Sequence, residues 1–186
     1  MEIEIGLIVI FLIRLLVPLL MFRWPLWGAL ASLVVDAADT NIVKFFGVEI
    51  PNYTATDKLF DMYYLSIQLY LSLSWANKLA RGASIFLYIW RLIGVVTFEL
   101  NPALRFMLFV APNIFEHFFI YHNVMMKLGK ETKKKMWLNS YKRLFIVVFL
   151  LWLTKIPQEL VLHVWQVKSP VEEFLAWIQG VFSKPT

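Results

Sequence analysis

Long apolar runs separated by short polar stretches dominate the pattern along the chain. Six of them approach the roughly 20 apolar residues that a helix needs to cross a bilayer. They run over Ile5–Phe22, Trp24–Phe46, Asp57–Ala76, Ala83–Phe98, Ala103–Met126 and Tyr141–Thr154, the fifth interrupted by Pro112. The connections read as turns: "GVEIPNY", "NKLARG", "ELNP" and the lysine-rich "KLGKETKKKMWLNSYKR". After Pro157, "SPVEEFLAWIQGVF" opens with a Ser-Pro helix-start signal followed by Glu172 and Glu173. It predicts a short amphipathic helix lying in the interface. The pattern therefore predicts an all-α, polytopic membrane helix bundle of six transmembrane helices plus a short C-terminal interfacial helix. Residues 1–186 form one integral membrane domain, with the lipid bilayer as its solvent.

Composition agrees with this reading. The chain of 186 residues is 60% hydrophobic, 17% aromatic and only 17% charged, where a soluble domain of this length carries more charge. It has no cysteine, so disulfides and thiolate metal sites are excluded. "MEIEIG" is acidic and no small-residue cleavage site precedes "FRWPLWG", so the first span is expected to be retained rather than removed as a signal peptide. The net charge of +5 is uneven: Lys127 to Arg143 holds seven Lys or Arg. In a membrane protein such a block suits anionic lipid headgroups better than nucleic acid, which is not expected as a partner. With six spans this loop shares a face with Arg23, Lys78 and Arg81. The positive-inside rule would put that face in the cytosol and the opposite one outside.

The four aspartates change the picture. Asp36, Asp39, Asp57 and Asp61 are the only ones in the chain and fall within 26 residues. Asp36 and Asp39 are three apart and Asp57 and Asp61 four apart, so each pair shares a helix face. An ionised carboxylate in a bilayer costs at least about 2.5–3.5 kcal/mol, so such a cluster needs compensation. If the second and third spans are antiparallel neighbours, both pairs point into one cavity. Two divalent cations would relieve the repulsion, and an all-oxygen donor set suits Mg²⁺, Mn²⁺ or Ca²⁺.

The spacing carries more than the clustering does. Asp36-x2-Asp39-Thr40-x2-Val43-Lys44-x8-Tyr53-x3-Asp57-x3-Asp61 resembles the signature of the CDP-alcohol phosphotransferase (CDP-alcohol phosphatidyltransferase) family, D-x2-D-G-x2-A-R-x8-G-x3-D-x3-D. All four aspartates keep its register. "FLIRLLVPLLMF" also looks like that family's first helix, and "TDKLFDMYYL" like its entry into the third. The resemblance covers about the first 75 residues. It implies a metal-dependent enzyme of phospholipid synthesis that moves a phosphoalcohol group from a CDP-linked lipid to an alcohol acceptor. Two Mg²⁺ or Mn²⁺ ions would be held by Asp36, Asp39, Asp57 and Asp61, with Asp61 also the base that takes the acceptor's proton. Thr40, Val43, Lys44 and Tyr53 stand where the family has Gly, Ala, Arg and Gly, the positions against which the donor packs. The metal half of the signature is intact and the donor half is rewritten, which points to an altered donor or to a non-catalytic relative that keeps the metal site. A small cation channel or transporter is the alternative from another class, and a second copy of the chain is a candidate partner.

Other polar residues inside the spans have two readings each. Arg14 is either a binder of an acceptor phosphate or headgroup, or the structural partner of an aspartate or a carbonyl. Arg91 and Arg105 are candidates for an anionic acceptor pocket, against a Glu99–Arg105 pair or snorkelling side chains. Glu116, His117 and His122 lack the two-histidine zincin spacing and predict a hydrogen bond across helices instead.

Overall fold

The computed structural model describes residues 2–45, 53–104, 106–129 and 137–159, with side chains undescribed at 2–7, 39–45, 53–55 and 156–159. Among these residues the chain is all-helical. The helices are α1 (Glu2–Leu16), α2 (Pro25–Phe45), α3 (Tyr53–Ser72), α4 (Lys78–Leu100), α5 (Phe106–Val110), α6 (Ile114–Lys127) and α7 (Tyr141–Glu159). Two stretches, Lys78–Leu100 and Pro102–Lys127, are long and apolar enough to cross a membrane, and shorter apolar stretches cover Ile8–Phe22 and Pro25–Ala38. The Lys-rich segment 130–136, Arg105, the 46–52 turn and the C-terminal helix expected at Ser169–Phe182 lie outside the described residues.

Several boundaries differ from expectation. The first span is not one helix: α1 stops at Leu16 and Val17–Phe22 tightens into a 3-10 segment with Pro18 at its start. A proline there offers no N–H to the preceding turn. The chain then reverses through Arg23 and Trp24, whose amides both bond the Leu20 carbonyl at 3.1 and 2.8 Å. Pro25 opens α2, a position where its missing N–H costs nothing. Gly28 permits the reversal to close, because a Cβ on it would lie 2.4 Å from the Met21 nitrogen and 2.8 Å from the Leu20 carbonyl carbon. Helix α3 begins at Tyr53, one turn before the expected Asp57, and α7 runs through Pro157 to Glu159 rather than stopping at Thr154.

The fifth span is broken, as Pro112 requires. The 3-10 turn Pro102–Leu104 and α5 precede the break at Ala111–Asn113, and α6 restarts beyond it with Asn113 as its cap. The carbonyls freed at the break are taken by α4: Trp90 Nε1 donates to Val110 O at 3.2 Å and Arg91 Nη1 to Ala111 O at 3.0 Å. Without its donor the Ala111 carbonyl would be a buried polar group with no partner. Gly94 brings α4 this close, since a Cβ there would lie 2.6 Å from the Ala111 methyl.

The core sits where α3, α4 and α6 meet around Trp75. Leu65, Phe115, Phe118, Phe119 and Leu138 are all within 1% of complete burial. Trp75 stacks on the His122 ring with centroids 3.5 Å apart and on Phe119 at 5.6 Å. Asn77 caps α4 by accepting from the amides of Leu79 and Ala80, and donates its own amide to Leu138 O at 2.6 Å, tying α4 to the approach of α7. Large apolar side chains such as Leu16, Phe22, Trp27, Leu59, Phe86, Ile93 and Phe145 face outward. Arg14, Lys58, Asp61, Gln68, Arg91, Glu116 and Lys155 face inward.

Candidate functional site

One face of α3 organises the polar interior. Asp57, Asp61, Tyr64, Gln68 and Ser72 recur at intervals of three or four, so they form a stripe along the helix. The stripe faces inward at Asp61, Tyr64, Gln68 and Ser72, and it meets polar groups from each neighbour in turn. Its lower end pairs Ser72 with Ser84 of α4 at 2.8 Å. Its middle meets Asn113, whose Nδ2 donates to Tyr64 Oη and to Glu116 Oε2, both at 3.1 Å.

The upper end is the acidic centre. Asp36 of α2 and Asp57 and Asp61 of α3 each bring a carboxylate oxygen within 4.8 Å of the other two. The same-face spacing seen in the sequence thus brings these three together, while Asp39, Thr40, Val43, Lys44 and Tyr53 have no described side chains. The three carboxylates are not bare. Arg14, at the last turn of α1 and 5% exposed, reaches Asp36 Oδ1 at 2.6 Å through Nη2 and Asp57 Oδ1 at 3.0 Å through Nη1. The same Nη2 is 3.5 Å from Asp61 Oδ1. Lys58 Nζ lies 2.9 Å from Asp57 Oδ2 and 3.3 Å from Asp61 Oδ2. Arg91 Nη2 stands 3.7 Å from Asp61 Oδ2. Two devices hold Arg14 in place: its guanidinium carbon sits 5.0 Å over the Phe60 ring, and Tyr63 Oη bonds Leu15 O at 3.0 Å, pinning α3 to α1. A narrow cleft bordered by Arg14, Pro18, Ser32, Asp36, Phe60 and Tyr64 opens beside the centre.

A fourth acid adjoins the centre. Glu116 is 1% exposed, its Oε1 has no hydrogen-bond partner, and the charges acting on it are Lys155, Asp61 and Arg91. The cluster therefore sets Asp36, Asp57, Asp61 and Glu116 against Arg14, Lys58, Arg91 and Lys155, formally neutral within the described residues.

Of the two readings of Arg14, the structure places it as the partner of aspartates. Arg91 does not snorkel outward but turns inward to Asp61 and the helix break, while Glu99 is exposed. The hydrogen bond that Glu116 accepts from Asn113 is local to the start of α6 rather than across helices; the cross-helix bond there runs from Asn113 to Tyr64 Oη, and His122 stacks on Trp75. Sequence reasoning passed over Lys58, Tyr64, Asn113 and Lys155 as members of the site. Lys58 had a signal, being placed between two aspartates on a helix. Lys155 had none, because it follows an apolar run in the position of an ordinary interfacial lysine.

Compared with protein-family models, with curated proteins and with solved structures, the chain finds no match.

Proposed function

We propose that this protein is a multi-pass integral membrane enzyme of the CDP-alcohol phosphotransferase type, moving a phosphoalcohol group from a CDP-linked lipid, or a related donor, to an alcohol. One observation carries the reading: Asp36, Asp57 and Asp61, in the register of that signature, bring their oxygens within 4.8 Å of one another in a bundle whose outer face carries many large apolar side chains. The multi-pass reading rests on those exposed apolar side chains and on the two membrane-length stretches.

The residues present fit a hard divalent cation. The donor set is all oxygen, and Asp61 Oδ1 is buried without a hydrogen bond. Asp36, Asp57 and Asp61, with Asp39 by the signature, would hold Mg²⁺ or Mn²⁺, which when bound would neutralise charge on a diphosphate. The chain's own groups do the rest. Arg14 and Arg91 present planar guanidinium forks, the shape that matches phosphate oxygens. Lys58 holds Asp57 and Asp61 at a fixed separation. Asp61, whose Oδ1 accepts no hydrogen bond and stands 3.5 Å from Arg14, is the carboxylate able to accept the proton of an attacking alcohol.

The test is product formation from CDP-diacylglycerol and a panel of alcohols, followed by mass spectrometry in the presence of Mg²⁺ or Mn²⁺. Asp61→Asn is expected to slow turnover by about 10²–10⁴-fold, the scale of a lost general base. Unchanged turnover in that variant would remove Asp61 from the chemistry.

A second reading has its own observation. Each of the three carboxylates already has a basic partner within 3.5 Å, so the centre is compensated without any cation. A relative that kept the fold and lost the reaction would look like this, and it predicts no turnover with any donor. Internal pairing speaks against the channel alternative, because acids lining a conduction path face water rather than arginine.

A further inference from the structure

We infer that water is built into the bundle between α3, α4 and α6, in a seam that begins behind the acidic centre and is anchored on Gln68. The phosphotransfer reading makes no use of this seam, and the inference stands with or without it. The first ground is Gln68 itself. It is 0% exposed, and among the described residues neither its Oε1 nor its Nε2 has a hydrogen-bond partner. Turning the amide over exchanges the two atoms and satisfies neither. A buried amide with no partner is costly.

The second ground is what shares the seam. Gln68 stands one helical turn from Tyr64 on the inward face of α3. Tyr64 Oη accepts from Asn113 Nδ2 at 3.1 Å, and the same nitrogen donates to Glu116 Oε2 at 3.1 Å. Glu116 Oε1, on α6, is buried without a partner among the described residues. So is the Nε–H of Arg91, on α4, whose other nitrogens serve Ala111 O and face Asp61. Arg91 is close enough to Glu116 to act on its charge. One turn beyond Gln68, Ser72 and Ser84 already satisfy each other at 2.8 Å, which ends the seam.

The third ground is the mixture of unmet groups. Arg91 Nε–H and the Gln68 amide offer hydrogens, while Gln68 Oε1 and Glu116 Oε1 accept them. An anion would serve the donors and be repelled by Glu116. A cation would serve the acceptors and strand the donors. Water does both, and a buried water takes about two to four such partners. Enclosure excludes a larger hydroxyl compound, since Gln68, Arg91 and Glu116 are each no more than 2% exposed. The cleft bordered by Ser32, Asp36 and Tyr64 comes up to the same stretch of α3 and offers water a way in. Water in the seam keeps the polar stripe of α3 continuous from the acidic centre to the Ser72–Ser84 pair.

The experiment uses the full chain in nanodiscs, with glutamine labelled by ¹⁵N. Magnetisation transfer from water to the Gln68 side-chain amide is measured by NMR, the resonance being assigned by its loss in Gln68→Met. A water cross-peak on this fully buried amide is expected, and its absence overturns the inference. The same variant gives a second readout, whose sign depends on the seam. Methionine matches glutamine in length and removes both polar atoms. In a hydrated seam Gln68→Met deprives the water of a partner and is expected to lower the thermal unfolding midpoint by about 2–12 °C. In a dry seam it removes an unpartnered amide and stabilises the protein. An unchanged or raised midpoint therefore overturns the inference. If Gln68→Met does not fold, Gln68→Asn supplies the assignment and the wild-type spectrum decides.

Discussion

Replacing Lys58 by methionine isolates what holds the acidic centre together. The substitution keeps the length of the side chain and removes its charge. In the folded protein Lys58 Nζ sits 2.9 Å from Asp57 Oδ2 and 3.3 Å from Asp61 Oδ2. At an effective dielectric constant of about 20, each contact corresponds to roughly 5–6 kcal/mol of attraction. Most of that is offset by the cost of taking lysine and carboxylates out of water. What a variant exposes is the uncompensated remainder, since Arg14 must then serve the three carboxylates with only Arg91, 3.7 Å from Asp61, to help it. Breaking a buried pair from one side costs about 3–5 kcal/mol. For a chain of this size that lowers the unfolding midpoint by about 6–20 °C. The assay is thermal unfolding in detergent, followed by tryptophan fluorescence, in EDTA. The companion Lys58→Met/Asp57→Asn removes one charge of each sign and is expected to recover at least half of the loss. Saturating Mn²⁺ with methylenediphosphonate is expected to protect Lys58→Met more than the wild type, because the vacated charge is then supplied by the cation. A midpoint for Lys58→Met equal to the wild type's, or a double variant less stable than the single, would refute the reasoning.

Gly28→Ala is expected to destabilise the protein by more than 1 kcal/mol, the scale of an overpacked contact. The added methyl would meet the backbone of Leu20 and Met21, which cannot swing away as a side chain would, and the loss is read from the unfolding midpoint. Tyr53→Gly restores the residue type of the resembled signature at a position where the donor packs. It is expected to tighten binding of CDP-diacylglycerol without altering Mn²⁺ affinity, checked by titration of both ligands.

What the sequence made legible follows the strength of each local signal. The helices came from apolar runs, and the break in the fifth span from Pro112, because a proline well inside a helical run leaves a carbonyl without its donor. The ends were less legible. α1 ends at Leu16, just before Pro18, but the reversal that follows closes only through the contact of the 3-10 segment with Gly28, a tertiary event that periodicity does not register. The convergence of Asp36, Asp57 and Asp61 was legible because one-turn spacing fixes a face. Their compensation by Arg14, Lys58 and Arg91 was not. Arg14 lies 22 positions from Asp36 and 43 from Asp57, and only the packing of α1 against α2 and α3 brings them together. Lys155 was the least legible, since nothing in "LLWLTKIP" distinguishes a lysine that turns inward to a buried glutamate from one that reaches for headgroups.

The break at Ala111–Asn113 and the acidic centre share one side chain. Arg91 gives Nη1 to the carbonyl released at the break and turns Nη2 toward Asp61, two tasks set by different parts of the chain. A lysine could supply the charge to one of them, but its single ammonium could not stand in both places. What this position demands is therefore the shape of the cation as much as its sign. The interruption of the helix, which looks like a defect of the scaffold, is fastened to the centre by the same planar group. A shift of the α5–α6 junction would pull on Asp61, and a change of occupancy around Asp61 would be felt at the junction.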